Sequence, residues 1–73
     1  MFELKPHNEL LQLLNAGASF SIKAGLKPQN ELLQLANAAK IGGGHLKLYG
    51  LELRQHNELL QIANAGKGLV SFE

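Results

Sequence analysis

Cysteine, tryptophan, aspartate and threonine are all absent from the 73 residues, and Arg54 is the only arginine. Without cysteine there are no disulfide staples and no thiolate nucleophile. The side-chain hydroxyls reduce to Ser19, Ser21, Ser71 and Tyr49, so a catalytic triad would have to draw on that short list. Every acid is a glutamate, and six of them against seven Lys or Arg leave a formal net charge of +1. Such a balance gives no strong pull toward nucleic acid or an anionic membrane. No apolar run approaches the roughly 20 residues of a membrane span, and the first residues lack a signal-peptide pattern. A soluble, cytoplasmic protein with no membrane partner is the expectation. The alphabet is narrow, as in sequences that were designed or built by recent multiplication of one unit.

What the chain does contain is one segment written three times. His7-Asn8-Glu9-Leu10-Leu11-Gln12 returns as Gln29-Asn30-Glu31-Leu32-Leu33-Gln34 and as His56-Asn57-Glu58-Leu59-Leu60-Gln61. The copies are preceded by Leu4-Lys5-Pro6, Leu26-Lys27-Pro28 and Leu53-Arg54-Gln55, and each closes on Asn-Ala. From asparagine to asparagine the spacings are 22 and 27 residues, the range in which one repeat is one supersecondary unit.

On a wheel of about 100° per residue, Leu10, Leu11, Leu13 and Leu14 share one arc, and Asn8, Glu9, Gln12 and Asn15 take the other. Pro6 and Pro28 suit a first helical turn, and Gly17 and Gly66 suit a left-handed C-cap. The pattern predicts one-sided helices near 6–17, 28–41 and 55–66. Between them the period changes to two, as in Ser19-Phe20-Ser21-Ile22-Lys23 and His45-Leu46-Lys47-Leu48-Tyr49. Strands are predicted near 2–5, 19–24, 45–53 and 69–73. The order βαβαβαβ follows, as a single α/β domain of three βα repeats over residues 1–73. The connections suit parallel strands and crossovers, which leave every helix on one sheet face.

Phe2, Leu4, Phe20, Ile22, Leu46, Leu48, Val70 and Phe72 are then predicted to face the helices. Glu3, Lys5, Ser19, Ser21, Lys23, Lys47, Tyr49, Ser71 and Glu73 are predicted to face away. The stretch Leu46-Lys47-Leu48-Tyr49-Gly50-Leu51-Glu52-Leu53 followed by Glu58-Leu59-Leu60 resembles a leucine-rich repeat of the ribonuclease-inhibitor type. That resemblance implies a curved βα solenoid with an open sheet face. The family's asparagine just after the strand is absent, since the asparagines here belong to the helices, so it implies nothing about a ligand.

The chemistry-bearing residues favour scaffold over site. Lys40-Ile41-Gly42-Gly43-Gly44-His45 could cradle a phosphate through its N–H groups, but it leaves a helix and enters a strand, the reverse of a phosphate loop. His7, His45 and His56 lack metal-ligand spacing, and Gln29 replaces the histidine in the middle copy. They are expected to be solvated surface residues. Glu9, Glu31 and Glu58 occupy equivalent places, without the contrast that separates an acid from a base. They are expected to complement the positive helix N-termini. The recurring Asn8, Gln12 and Asn15 stripe is read as copied surface, with a periodic binding face as the other reading. No catalytic residue, metal site or cofactor is expected.

Self-association is the remaining activity. Val70-Ser71-Phe72-Glu73 runs on naturally into Phe2-Glu3-Leu4-Lys5, as though an array had been cut inside a strand. An uncapped array leaves two open strand edges. A homo-oligomer formed through Phe2, Glu3, Leu4, Val70, Phe72 and Glu73 is the expectation, as a ring, a filament or a strand-exchanged dimer. The alternative is a small protein-binding or inhibitor module whose partner covers Lys5, Ser19, Ser21, Lys23, Lys47 and Tyr49. A nucleic-acid partner is disfavoured by the charge and by the single tyrosine.

Overall fold

The computed structural model describes residues 6–25, 27–51 and 54–73. Three helices alternate with three strands in the order α1 (His7–Asn15), β1 (Phe20–Lys23), α2 (Gln29–Gly42), β2 (Leu46–Tyr49), α3 (His56–Gly66) and β3 (Val70–Phe72). The strands form one parallel sheet in the order β1-β2-β3. Phe20 stands opposite Leu46, which stands opposite Val70; Ile22, Leu48 and Phe72 make the next such row. The predicted strand at 2–5 lies outside the described residues, as do Glu52 and Leu53 of the predicted 45–53 strand.

Burial alternates along the strands as the period-two pattern requires. Ile22, Leu46 and Leu48 are fully buried, while Ser21, Lys23 and Lys47 between them are exposed. Leu10, Leu14, Leu32, Leu35 and Ile62 complete the core from the helix side, and α2 packs between α1 and α3. One sheet face is therefore covered by a single helix layer, and the other is polar.

Several boundaries differ from the sequence expectation. Pro6 and Pro28 sit just outside their helices as N-caps, with extended backbone at ψ 152° and 155°. A proline there has no N–H to satisfy. Gln55, in the third copy, does have one, and it donates to the Glu58 carboxylate at 3.3 Å. Strand β2 stops at Tyr49 instead of running to 53, because Gly50 turns the chain at φ 77°. Helix α3 continues through Gly66, and its left-handed cap is Lys67 at φ 49°. Gly66 is small for another reason: a Cβ there would lie 2.3 Å from Val70 Cγ2. The residue is chosen for close helix–strand approach, not for capping.

Candidate functional site: the sheet face and the array flanks

The polar sheet face carries Ser21, Lys23 and Lys47 exposed, with Tyr49 half-buried. Ser21, Lys23, Tyr49, Gly50 and Glu73 line one shallow depression on it, and Ser19, Phe20, Ser21, His45 and Lys47 line another. Lys47 Nζ lies 3.9 Å from Glu73 Oε1, so the positive charge there is partly offset. Of the predicted partner-binding set, Ser19, Ser21, Lys23, Lys47 and Tyr49 are brought to this region, and Lys5 lies outside the described residues.

His45 is half-buried rather than solvated. Its backbone N–H donates to Ser19 Oγ at 3.0 Å, and its Nε2 lies 2.9 Å from Ser71 Oγ. A nucleophile–base pair has that spacing, but catalysis also needs a group that orients the base and donors for an oxyanion. Among the described residues no carboxylate pairs with His45. The contacts instead tie all three strands together at one end of the sheet.

The helix layer holds a feature that the sequence reading assigned to copied surface. His7 Nε2 of α1 lies 2.7 Å from Gln34 Oε1 of α2. One helix further on, the equivalent Gln29 donates to Gln61 Oε1 at 3.2 Å and to the Glu58 carbonyl at 3.0 Å. His7 Nδ1 also faces Glu31 Oε1 at 3.9 Å, and Lys27 Nζ stands equally far from the same oxygen. The first residues of α1 and α2 thus each reach forward to the glutamine of the next helix. Arg54 reinforces the second seam: Nη1 donates to Gln29 Oε1 at 2.9 Å, and Nη2 donates to the carbonyls of Ala24 and Lys27. His7 is accordingly half-buried and engaged, against the expectation of a solvated histidine. The signal that could have found this pairing was the recurrence of His or Gln five residues before a glutamine in all three copies.

That forward reach stops at the flanks of the layer. His56 and Gln12 occupy the seam positions on α3 and α1, and neither side chain has a partner among the described residues. Burial shows the same break. Leu11 and Leu33 are half-buried against the core, but the equivalent Leu60 is 49% exposed. Ile22 and Leu48 are 0% exposed, but Phe72, in the same row, is 40% exposed. Of the predicted association residues, Val70 is half-buried and Phe72 and Glu73 are exposed at the β3 edge. Phe2, Glu3 and Leu4 lie outside the described residues.

No helix of the described residues is long and apolar enough to cross a membrane, and no group of metal-ligating side chains converges among them. Compared with protein-family models, with curated proteins and with solved structures, the chain finds no match in any of the three.

Proposed function

We propose that the protein is a non-enzymatic module of three βα repeats, laid out like a leucine-rich repeat, whose main activity is self-association. Its strand edges and the uncovered flanks of its helix layer are the contact surfaces, and the finished unit order is βαβαβαβ. The observation that carries this reading is the graded burial at equivalent positions. The side chains that are hidden in the first two units, Ile22 and Leu48, leave Phe72 showing in the third, with Leu60 beside the same flank of the layer. Burial of those two side chains by another copy would contribute about 25 cal/mol per Å² of apolar surface removed from water. Among the described residues no strand pairs with the outer side of β3, whose backbone groups are available for the same purpose.

A second reading is docking of another protein on the polar sheet face, favoured because parallel sheets are usually covered on both faces. Light scattering over roughly a hundredfold dilution separates the two, since only self-association makes mass depend on the chain's own concentration. The expected result is a discrete oligomer for the natural sequence and a monomer for Leu60→Lys. A natural sequence that stays monomeric at every concentration overturns the self-association reading and leaves the sheet face.

A further inference from the structure

We propose, as a step that rests on the self-association reading above, that two copies join through β3. The two strands pair antiparallel about a two-fold axis at Ser71, and the sheet and helix layer run on across the join.

The backbone of β3 has a used side and an unused side. Leu46 N–H donates to the Leu69 carbonyl at 2.9 Å, and Glu73 N–H donates to the Leu48 carbonyl at 2.9 Å. Successive residues of a strand point these groups to alternate sides. Val70 and Phe72 therefore aim theirs away from β2, where no strand pairs with them among the described residues. Helix α3 is open on the same flank. Leu14 and Ala36 are fully buried, but Ala63 at the equivalent place is exposed, as is Leu60 on the turn before it.

A second copy fits this flank in one way. A two-fold axis along the strands would pair them in parallel and put the partner's polar sheet face beside Phe72. An axis perpendicular to the sheet keeps both helix layers on one side and makes the strands antiparallel. Residues directly opposite each other then share a face, so the axis passes through a residue and not between two. At Ser71 it sets Val70 opposite Phe72 of the partner subunit, and Phe72 opposite Val70 of the partner subunit. Those are the residues with unused N–H and C=O groups, and each exposed ring gains an apolar neighbour. An axis at Val70 would instead set Phe72 against Gly68 of the partner subunit, which turns at φ 88° and has no side chain to offer. An axis at Phe72 would leave Val70 facing no residue of β3.

The helix layer and the charges agree with the axis at Ser71. Gly66 lies directly over Val70, and a strand rises about 3.3 Å per residue where a helix rises about 1.5 Å. The height of Ser71 is therefore about two residues up α3 from Gly66, beside Asn64 and Ala63, where a small side chain lets two helices approach. At either end of the strand pair, exposed Glu73 comes to the turn that carries exposed Lys67 of the partner subunit, and opposite charges meet.

Amide exchange on the natural sequence reads the join directly. The N–H groups of Val70 and Phe72 are expected to exchange severalfold more slowly in the oligomer than in dilute monomer. The Glu73 N–H, already held by β2, is expected to change less and serves as the reference. The chain has no cysteine, so Ser71→Cys supplies a second measurement. Across the axis its Cα atoms stand about 4.5 Å apart, a non-hydrogen-bonded antiparallel pair within disulfide range. In Lys47→Cys the like pair stands three strand spacings apart, roughly 14 Å. Mild oxidation is expected to link Ser71→Cys into dimers severalfold faster than Lys47→Cys. An oligomeric mass without protection of Val70 and Phe72 overturns the β3 join and leaves self-association standing, as do equal oxidation rates. A monomeric mass at every concentration overturns both. If Ser71→Cys fails to fold, exchange on the natural sequence decides alone.

Discussion

Ile22 and Phe72 stand in one row of one sheet and face the same helix layer, yet the first is sealed and the second is 40% exposed. Chemistry does not distinguish them, because the phenylalanine is the larger apolar group. Position does. Ile22 and Leu48 lie under a layer in which α2 is packed on both sides, by α1 and by α3, whereas Phe72 lies where that layer ends. The burial of a side chain in this molecule is set by whether a next unit exists to cover it. The self-association proposed above would draw on the same kind of contact as stability does, one completed inside the chain and the other offered by Phe72 at its flank.

The largest break in this comparison comes from truncating the sealed row. Leu48→Ala is expected to destabilise the fold by about 2–5 kcal/mol, through lost transfer energy and a cavity. In dilute monomer Phe72→Ala is expected to cost less than about half as much, since part of the ring is already in water. Urea denaturation measures both; equal losses would show that Phe72 is covered even in the monomer. At higher concentration the ranking sharpens, because Phe72→Ala should also weaken association while Leu48→Ala should not do so directly.

A steric change tests the closed seam itself. A Cβ on Gly42 would lie 2.0 Å from the Leu14 carbonyl oxygen, a backbone atom of α1. Gly42→Ala is expected to push α1 from α2 at a cost of roughly 1–3 kcal/mol. Gly43→Ala, by contrast, meets no atom within 4 Å and suffers only from its φ of 80°. Loss of amide-exchange protection across α1 in the first variant but not in the second is the predicted signature.

The smallest effect is a gain. Lys67 holds a left-handed φ of 49° at the end of α3, where the two earlier helices have Gly17 and Gly43 near φ 93° and 80°. Lys67→Gly relieves strain and is expected to stabilise by about 0.5–1 kcal/mol, raising the urea midpoint with an unchanged slope. An unchanged midpoint would mean that the third unit tolerates the conformation without strain.

Much of this was legible in the letters. The Leu10, Leu14, Leu32 and Leu35 stripe and the alternation around Ile22 and Leu48 dictate which faces go inward, because helical and extended backbones repeat at about 3.6 and 2 residues. The open polar face, with Ser21, Lys23 and Lys47, follows from the same alternation. The reach of β2 was not legible: Leu51 and Leu53 continue the period, and only the turn at Gly50 shows where pairing stops. Gly66 misled for a related reason, since a glycine serves equally for a left-handed turn and for a close approach. His7 was read as solvated because a wheel describes one helix, and the Gln34 that engages it lies 27 residues away.

The sequence by itself determined the periodic elements, their inward faces and the near-identity of the three units, all of which are local properties of a chain with fixed backbone geometry. Only the tertiary structure decided which copied letters meet. It set His7 on Gln34 and Gln29 on Gln61, and among the described residues it gave His56 and Gln12 no such contact. A repeat carries the same letters in every unit, but a contact needs two units, and the number of neighbours is a property of the packed array.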